Sequence, residues 1–238
     1  MASKGYNLLI VSNEEAIHDK AALLRQDYPV TVLSLVQNLG TQTAAKELYD
    51  YCQTQGIEVE VLINNAGVYH DRDFLDDSEG FNQLIFNLHM HTPAMLMYYF
   101  AQDMVKRGKG YMLNMSSYSI WMPFPGLALY SASKAYVKSF TEAFSKELKR
   151  TGVSITAICP AGIATDLYGL SKSLQKFGVK SGILMSPRSC AKRGLRAMFK
   201  RRSVVVPDWW YKLLIPFCKY LPGFLIRPLR NFTMKWQK

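Results

Sequence analysis

Cysteine is scarce: Cys52, Cys159, Cys190 and Cys218 are the only four in 238 residues, with no C-x-x-C pair and no histidines at zinc-finger distance. That spacing argues against a disulfide framework and a structural metal, and it fits a reducing compartment. Long apolar runs are missing too. The segment Met1-Ala2-Ser3-Lys4-Gly5-Tyr6-Asn7 carries no apolar stretch before Leu8, and later runs are too short or interrupted to span a bilayer. Neither secretion nor a transmembrane span is expected, so the chain reads as cytoplasmic. Acidic residues are in deficit, 18 against 29 Lys and Arg, for a formal charge of +11. Such an excess attracts phosphate in a dinucleotide, an anionic membrane or a nucleic acid, and charge alone does not choose among them.

What is present is the composition of one foldable domain. Hydrophobic residues at 49% and charged residues at 20% exclude disordered, collagen-like and coiled-coil classes. No repeat or low-complexity linker interrupts the chain, and its length suits a single α/β core. Apolar runs of strand length alternate with segments of helical period, the pattern of βαβ units around a parallel sheet. Strands are expected at about 6–12, 30–36, 59–64, 110–116, 153–159 and 203–206. Long helices are expected over about 79–106, with Pro93 kinking or fraying it, and over about 133–149.

Tyr130-Ser131-Ala132-Ser133-Lys134 puts a phenol and an ammonium at i and i+4, on one face of a helix. A neighbouring cation favours the phenolate, which would bring an ordinary phenol toward a useful acid/base range. Alone, the pair is more often chance on a solvated face. Ser117, thirteen positions before Tyr130, closes a strand where ligands bind in open parallel sheets. Asn64-Asn65-Ala66-Gly67 ends another strand with amides and a glycine, and Cys159-Pro160-Ala161-Gly162-Ile163-Ala164-Thr165 ends a third.

In order and spacing these four motifs resemble the short-chain dehydrogenase/reductase family, over about residues 5–207. The resemblance implies a Rossmann-like α/β fold, a doubly wound parallel sheet in three α/β/α layers. It implies an oxidoreductase that interconverts a ketone and a secondary alcohol with NADP or NAD. Tyr130 is then the general acid/base, and Lys134 its pKa modifier and a ribose contact. Ser117 polarises the carbonyl, being preferred over Ser116 for its separation from Tyr130. Asn87 holds a water in a proton relay toward Lys134, or else only bonds a local backbone carbonyl. Asn65, Ala66 and Gly67 lie along the adenosine and ribose, with Asn64 also bracing adjacent strands, and Ile163 and Thr165 face the nicotinamide. Asn38 stands where the family has an Asp near the adenine, and either bonds the ring or caps the next helix. A homo-oligomer acting on a small carbonyl or alcohol substrate is expected. Trp121, Met122, Phe124, Leu127 and Leu129 hint at an apolar substrate, or are packing residues.

The family's opening strand and glycine-rich turn, T-G-x-x-x-G-x-G, have no counterpart here. The strand at 6–12 matches the family's second, and residues 2–5 look like the end of a missing first helix. The missing strand would lie between those at 6–12 and 59–64, in the order 3-2-1-4-5-6-7. An N-terminal truncation is expected, the alternative being a degenerate, non-catalytic member that binds something else or nothing. Ser12 and Asn13 stand where an Arg would indicate NADP or an Asp NAD, leaving the preference open.

Residues 1–207 are thus read as the Rossmann-like domain and 208–238 as a basic, aromatic extension that begins Trp209-Trp210-Tyr211 and ends at Lys238. Its mixture of rings, aliphatics and spaced cations suits an amphipathic helix lying on an anionic membrane, or a substrate lid or oligomer contact. Nucleic acid is disfavoured, because no finger, RNP or helix-turn-helix signature accompanies the charge.

Overall fold

The structure, a computed structural model, describes residues 1–122, 124–219, 226 and 228. Among the described residues six strands form: β1 (Leu8–Ser12), β2 (Val32–Val36), β3 (Val61–Asn64), β4 (Gly110–Met115), β5 (Val153–Ile158) and β6 (Val204–Val205). Each lies within two residues of its expected limits, and every pairing is parallel. The helices are α1 (Ile17–Asp27), α2 (Ala44–Thr54), α3 (Glu79–Ile85), α4 (Thr92–Arg107), α5 (Ala128–Glu147), α6 (Lys172–Lys180), α7 (Pro187–Phe199) and α8 (Trp209–Lys219).

The sheet is in two pieces. β1 pairs with β2 alone, while β3-β4-β5-β6 form the larger part, and no ladder joins β1 to β3 among the described residues. Backbone direction shows what the break leaves open. Leu8 N–H donates to Thr31 and Ser12 C=O accepts from Gln37, so by the alternation of a parallel strand Leu9 and Val11 point away from β2. Glu60 C=O accepts from Tyr111, so Val61 and Ile63 likewise point away from β4. Both strands beside the break are only half-buried, and Ile63 is 40% exposed, whereas β4 and β5 are buried along most of their length.

One apolar layer spans the break. Leu9, Val11, Leu35 and Leu62 pack with Met112 and Ile155 beneath α2 and α4, whose Leu48, Cys52, Phe100 and Met104 are buried. Helix packing therefore unites what the strand ladder does not. A second cluster, Leu113, Ile158, Met185, Cys190 and Met198, lies under α7. Gly152, with φ +80°, immediately precedes β5 at a point where a Cβ would strike the carbonyl of Gly108, the C-cap of α4, so glycine is required on both counts.

The helix expected over 79–106 is divided. A π-helical turn, Phe86–His91, separates α3 from α4, and Pro93, which has no N–H to bond a preceding carbonyl, is the second residue of α4 just after that wider turn. α5 starts at Ala128, five residues before its expected limit, which carries Tyr130 into its first turn. α8 docks on the domain: Tyr118 Oη donates to the Tyr211 carbonyl at 2.8 Å, and Tyr211 Oη to that of Ile183 at 2.9 Å. Leu213 and Phe217 stay exposed on its outer side. The remainder of the expected basic extension lies outside the described residues. No helix among the described residues is long and apolar enough to cross a membrane.

Candidate active site

Strands β3, β4 and β5 end together and deliver the Asn64–Val68, Ser116–Ser117 and Cys159–Thr165 segments to one edge of the sheet, with α5 alongside. A buried amide chain sets their register. Asn64 Nδ2 donates to Asn114 Oδ1 at 2.8 Å, and Asn114 Nδ2 to Thr141 Oγ1 of α5 at 2.8 Å. Asn64 thus braces β3 against β4.

The two serines divide by environment. Ser116 is buried and its hydroxyl donates to the Lys134 carbonyl at 2.8 Å, a bond that fastens β4 to α5. The Ser117 hydroxyl accepts from Ser119 N–H at 3.2 Å and lies against the Tyr130 phenol, where it favours the ionised form. Tyr130 is only 7% exposed, and burial is the largest influence on it, pushing its pKa above the usual phenol value. The net direction is therefore opposite to the expected one, burial outweighing what favours the phenolate. The Lys134 ammonium sits 5.7 Å from the Tyr130 ring centroid and donates to the Met115 carbonyl at 3.2 Å, and burial brings its own pKa down to about 8.

Around Tyr130 stand rings that spacing alone did not indicate. Tyr69 meets it edge-on at 5.2 Å, Tyr168 meets Tyr69 at 5.0 Å, and His89 lies 5.8 Å from Tyr130. His89 Nε2 accepts from Val68 N–H at 3.0 Å, and its Nδ1 lies 3.0 Å from Ser133 Oγ. Burial first, and Lys134 second, lower its pKa to about 3. Positions just after Gly67, Asn87 and Thr165 were the available signal for Tyr69, His89 and Tyr168, but nothing in the sequence ties 89 to 68 or 133.

Asn65, Ala66 and Gly67 lie exposed along the sheet edge. A Cβ at Gly67 would come within 3.0 Å of His89 Nε2 and 3.4 Å of Lys134 Nζ, so the turn runs close over both. Asn87 donates from Nδ2 to the Gly40 carbonyl at 2.8 Å and accepts from Gln83 at 3.2 Å, so its side chain engages the 38–43 loop. Asn38 Oδ1 accepts from Gly40 N–H at 2.9 Å within that loop. Contrary to one expectation it does not cap α2, whose N-cap is Thr43. Ile163 forms a bridge with Met185 and packs on the Leu113 cluster, and half-buried Thr165 precedes the short turn Asp166–Tyr168. Of the apolar run before Tyr130, Phe124 and Leu127 are buried and Trp121 packs edge-on against Tyr118, which is the packing alternative for those three.

Fold and side chains together define a Rossmann-like α/β protein with a serine, tyrosine and lysine gathered at the carboxyl edge of its sheet. The chain belongs to the short chain dehydrogenase family, whose model matches residues 1–175. Among curated relatives it is 25% identical to the very-long-chain 3-oxoacyl-CoA reductase of Mus musculus, over 93% of this chain and 74% of that one. It is 27% identical to inactive hydroxysteroid dehydrogenase-like protein 1 of Homo sapiens, over 94% of this chain and 68% of that one. Among solved structures, a short-chain dehydrogenase from Sphingobium yanoikuyae in complex with NADPH superposes with a TM-score of 0.77 at 22% identity, covering 89% of this chain and 84% of that one. At that identity the likeness is one of fold.

Proposed function

We propose that the chain interconverts a ketone and a secondary alcohol with NADP or NAD, Tyr130 serving as general acid/base. The observation that carries this reading is the buried Tyr130 phenol, flanked by the Ser117 hydroxyl and backed by the Lys134 ammonium, at the edge where parallel sheets bind ligands. In the reducing direction, Tyr130 gives its proton to the carbonyl oxygen while Ser117 donates a hydrogen bond to the same atom. Lys134, anchored on the Met115 carbonyl, stabilises the phenolate left behind. When bound, the nicotinamide supplies the hydride or accepts it.

The residues fit one half of that cofactor better than the other. The bare Gly67 turn over Lys134 suits a ribose, Asn65 and Ala66 extend the same edge, and Ile163, Thr165 and Asn38 are assigned as the family resemblance implies. On the pyrophosphate side, the glycine-rich turn that the resemblance places before β1 has no counterpart in the sequence, and at the adenosine end the segment between β1 and α1 carries the anions Glu14 and Glu15. The rings of Tyr69 and Tyr168 favour an apolar substrate, in keeping with the acyl and steroid names of the curated relatives. Titration with NADPH and NADH, then a panel of ketones and long-chain carbonyls, tests the reading. Saturable binding with turnover supports it, and absence of both overturns it.

The broken sheet supports a second reading, a degenerate binding protein, and one relative carries the word inactive in its name. A chain extended by one strand and a glycine-rich turn would fill the break and restore the first reading. Exposed Leu213 and Phe217 beside Lys212 on α8 support peripheral contact with an anionic membrane. Salt-sensitive sedimentation with anionic liposomes, lost on deleting residues 208–238, is the expected result, and no binding at low salt would dismiss it.

A further inference from the structure

We propose that His89 is a positioning residue: a neutral imidazole, protonated on Nδ1, that ties the Gly67-Val68 turn to the backbone of Tyr130. Its kinetic consequence rests on the oxidoreductase reading, but its hydrogen-bond pattern stands without it.

The pattern follows from which groups can donate. Val68 N–H has only a proton to offer, so His89 Nε2, 3.0 Å away, must present a lone pair. A neutral imidazole then carries its hydrogen on Nδ1, which donates to Ser133 Oγ at 3.0 Å. Ser133 passes its own proton to the Tyr130 carbonyl at 2.7 Å. Each donor and acceptor in this relay is used in one consistent direction, from the turn after β3 to the residue that carries the phenol. His89 is 1% exposed and Ser133 fully buried, so no water competes for these bonds.

A second proton on His89 would set Nε2–H against Val68 N–H. The charged group facing the ring is Lys134 of α5, also a cation, and Tyr130 presents a neutral ring at 5.8 Å. No carboxylate bonds His89 among the described residues. The π-helical turn Phe86–His91 holds the pieces together: it sends Asn87 to Gly40 on one side and His89 to Val68 and Ser133 on the other. Gly67 completes the fit, because a Cβ there would press on Nε2 at 3.0 Å. The consequence is mechanical. The turn proposed to lie along the ribose and the helix bearing the acid are held at a fixed separation by one imidazole, and charge on that imidazole would push them apart.

Nitrogen-15 NMR of the full chain, with its four histidines resolved, reads the tautomer directly. The expected result is hydrogen on Nδ1 of His89 and no titration between about pH 5 and 8. An Nε2–H tautomer, or a midpoint near the ordinary histidine value, would overturn the proposal. His89→Phe keeps the ring and loses both bonds, while His89→Gln can still accept from Val68. The phenylalanine variant should raise the NADPH dissociation constant roughly tenfold, with a smaller change in kcat, and glutamine should restore most of the binding. Equal NADPH binding by folded wild-type and His89→Phe protein would contradict the positioning role. If even the wild type fails to bind NADPH, the oxidoreductase reading falls, and exchange of the Val68 amide decides the matter separately. It should quicken in His89→Phe and not in His89→Gln, and unchanged exchange in both would refute the bond.

Discussion

Lys134 is held as an ammonium in a place that resists charge. Burial lowers its pKa to about 8, below the roughly 10.4 of an unfolded lysine. Between those two values the unfolded chain binds more protons than the folded one, so this residue makes stability rise with pH across that window. Below about 8 the full penalty is present. Lys134→Met should therefore flatten the slope of stability between about pH 8 and 10.4, read as the difference in Tm against wild type. Equal slopes would show that the lysine is not desolvated. On the proposed function, kcat for ketone reduction should fall as pH rises through about 8, because the Lys134 cation assigned to steady the phenolate is lost, and a pH profile of kcat that stays flat there would contradict that assignment. The gathering of Tyr130, Lys134 and Ser117 at one edge of the sheet was legible in the sequence because it follows from spacing along one helix and one strand. The direction of the Tyr130 pKa was not, because burial depends on what the rest of the chain stacks over the phenol. His89 was hidden for a related reason: its partners lie 21 and 44 residues away in the chain.

At the level of elements, the strands were readable because β4 and β5 are nearly continuous apolar runs bounded by turns, as strands buried on both faces must be. The division of 79–107 into α3, a π-helical turn and α4 was not readable, since its apolar spacing is helical throughout. Pro93 signalled an interruption nearby, which occurs just before it. Gly152 joins two elements with no freedom to spare. Gly152→Ala should cost about 1–3 kcal/mol of unfolding free energy through its left-handed φ, and more if the Gly108 carbonyl cannot retreat. Urea denaturation measures this, and a neutral substitution would show that the turn between α5 and β5 relaxes.

For the whole molecule, the notable fact is a parallel sheet divided between β1 and β3 under a continuous helical layer. Hydrogen exchange should reveal it. The amides of Leu9 and Val11 should exchange quickly while those of Leu8 and Ile10 are protected, and Val61 and Ile63 should exchange faster than Met112 and Leu113. Uniform protection along β1 would mean that something pairs with its open side. The sequence indicated where the strands lie but not how the two pieces stay together, because packing of α2 and α4 across the break is a property of the assembled core.

Tyr130 as the acid is tested by the turnover of an accepted ketone by the Tyr130→Phe variant, measured beside its NADPH affinity. The variant keeps the ring that packs on Tyr69 and His89 and removes only the hydroxyl. The expected result is unchanged binding and a loss of roughly 10²–10⁴-fold in kcat. Turnover equal to wild type would contradict it.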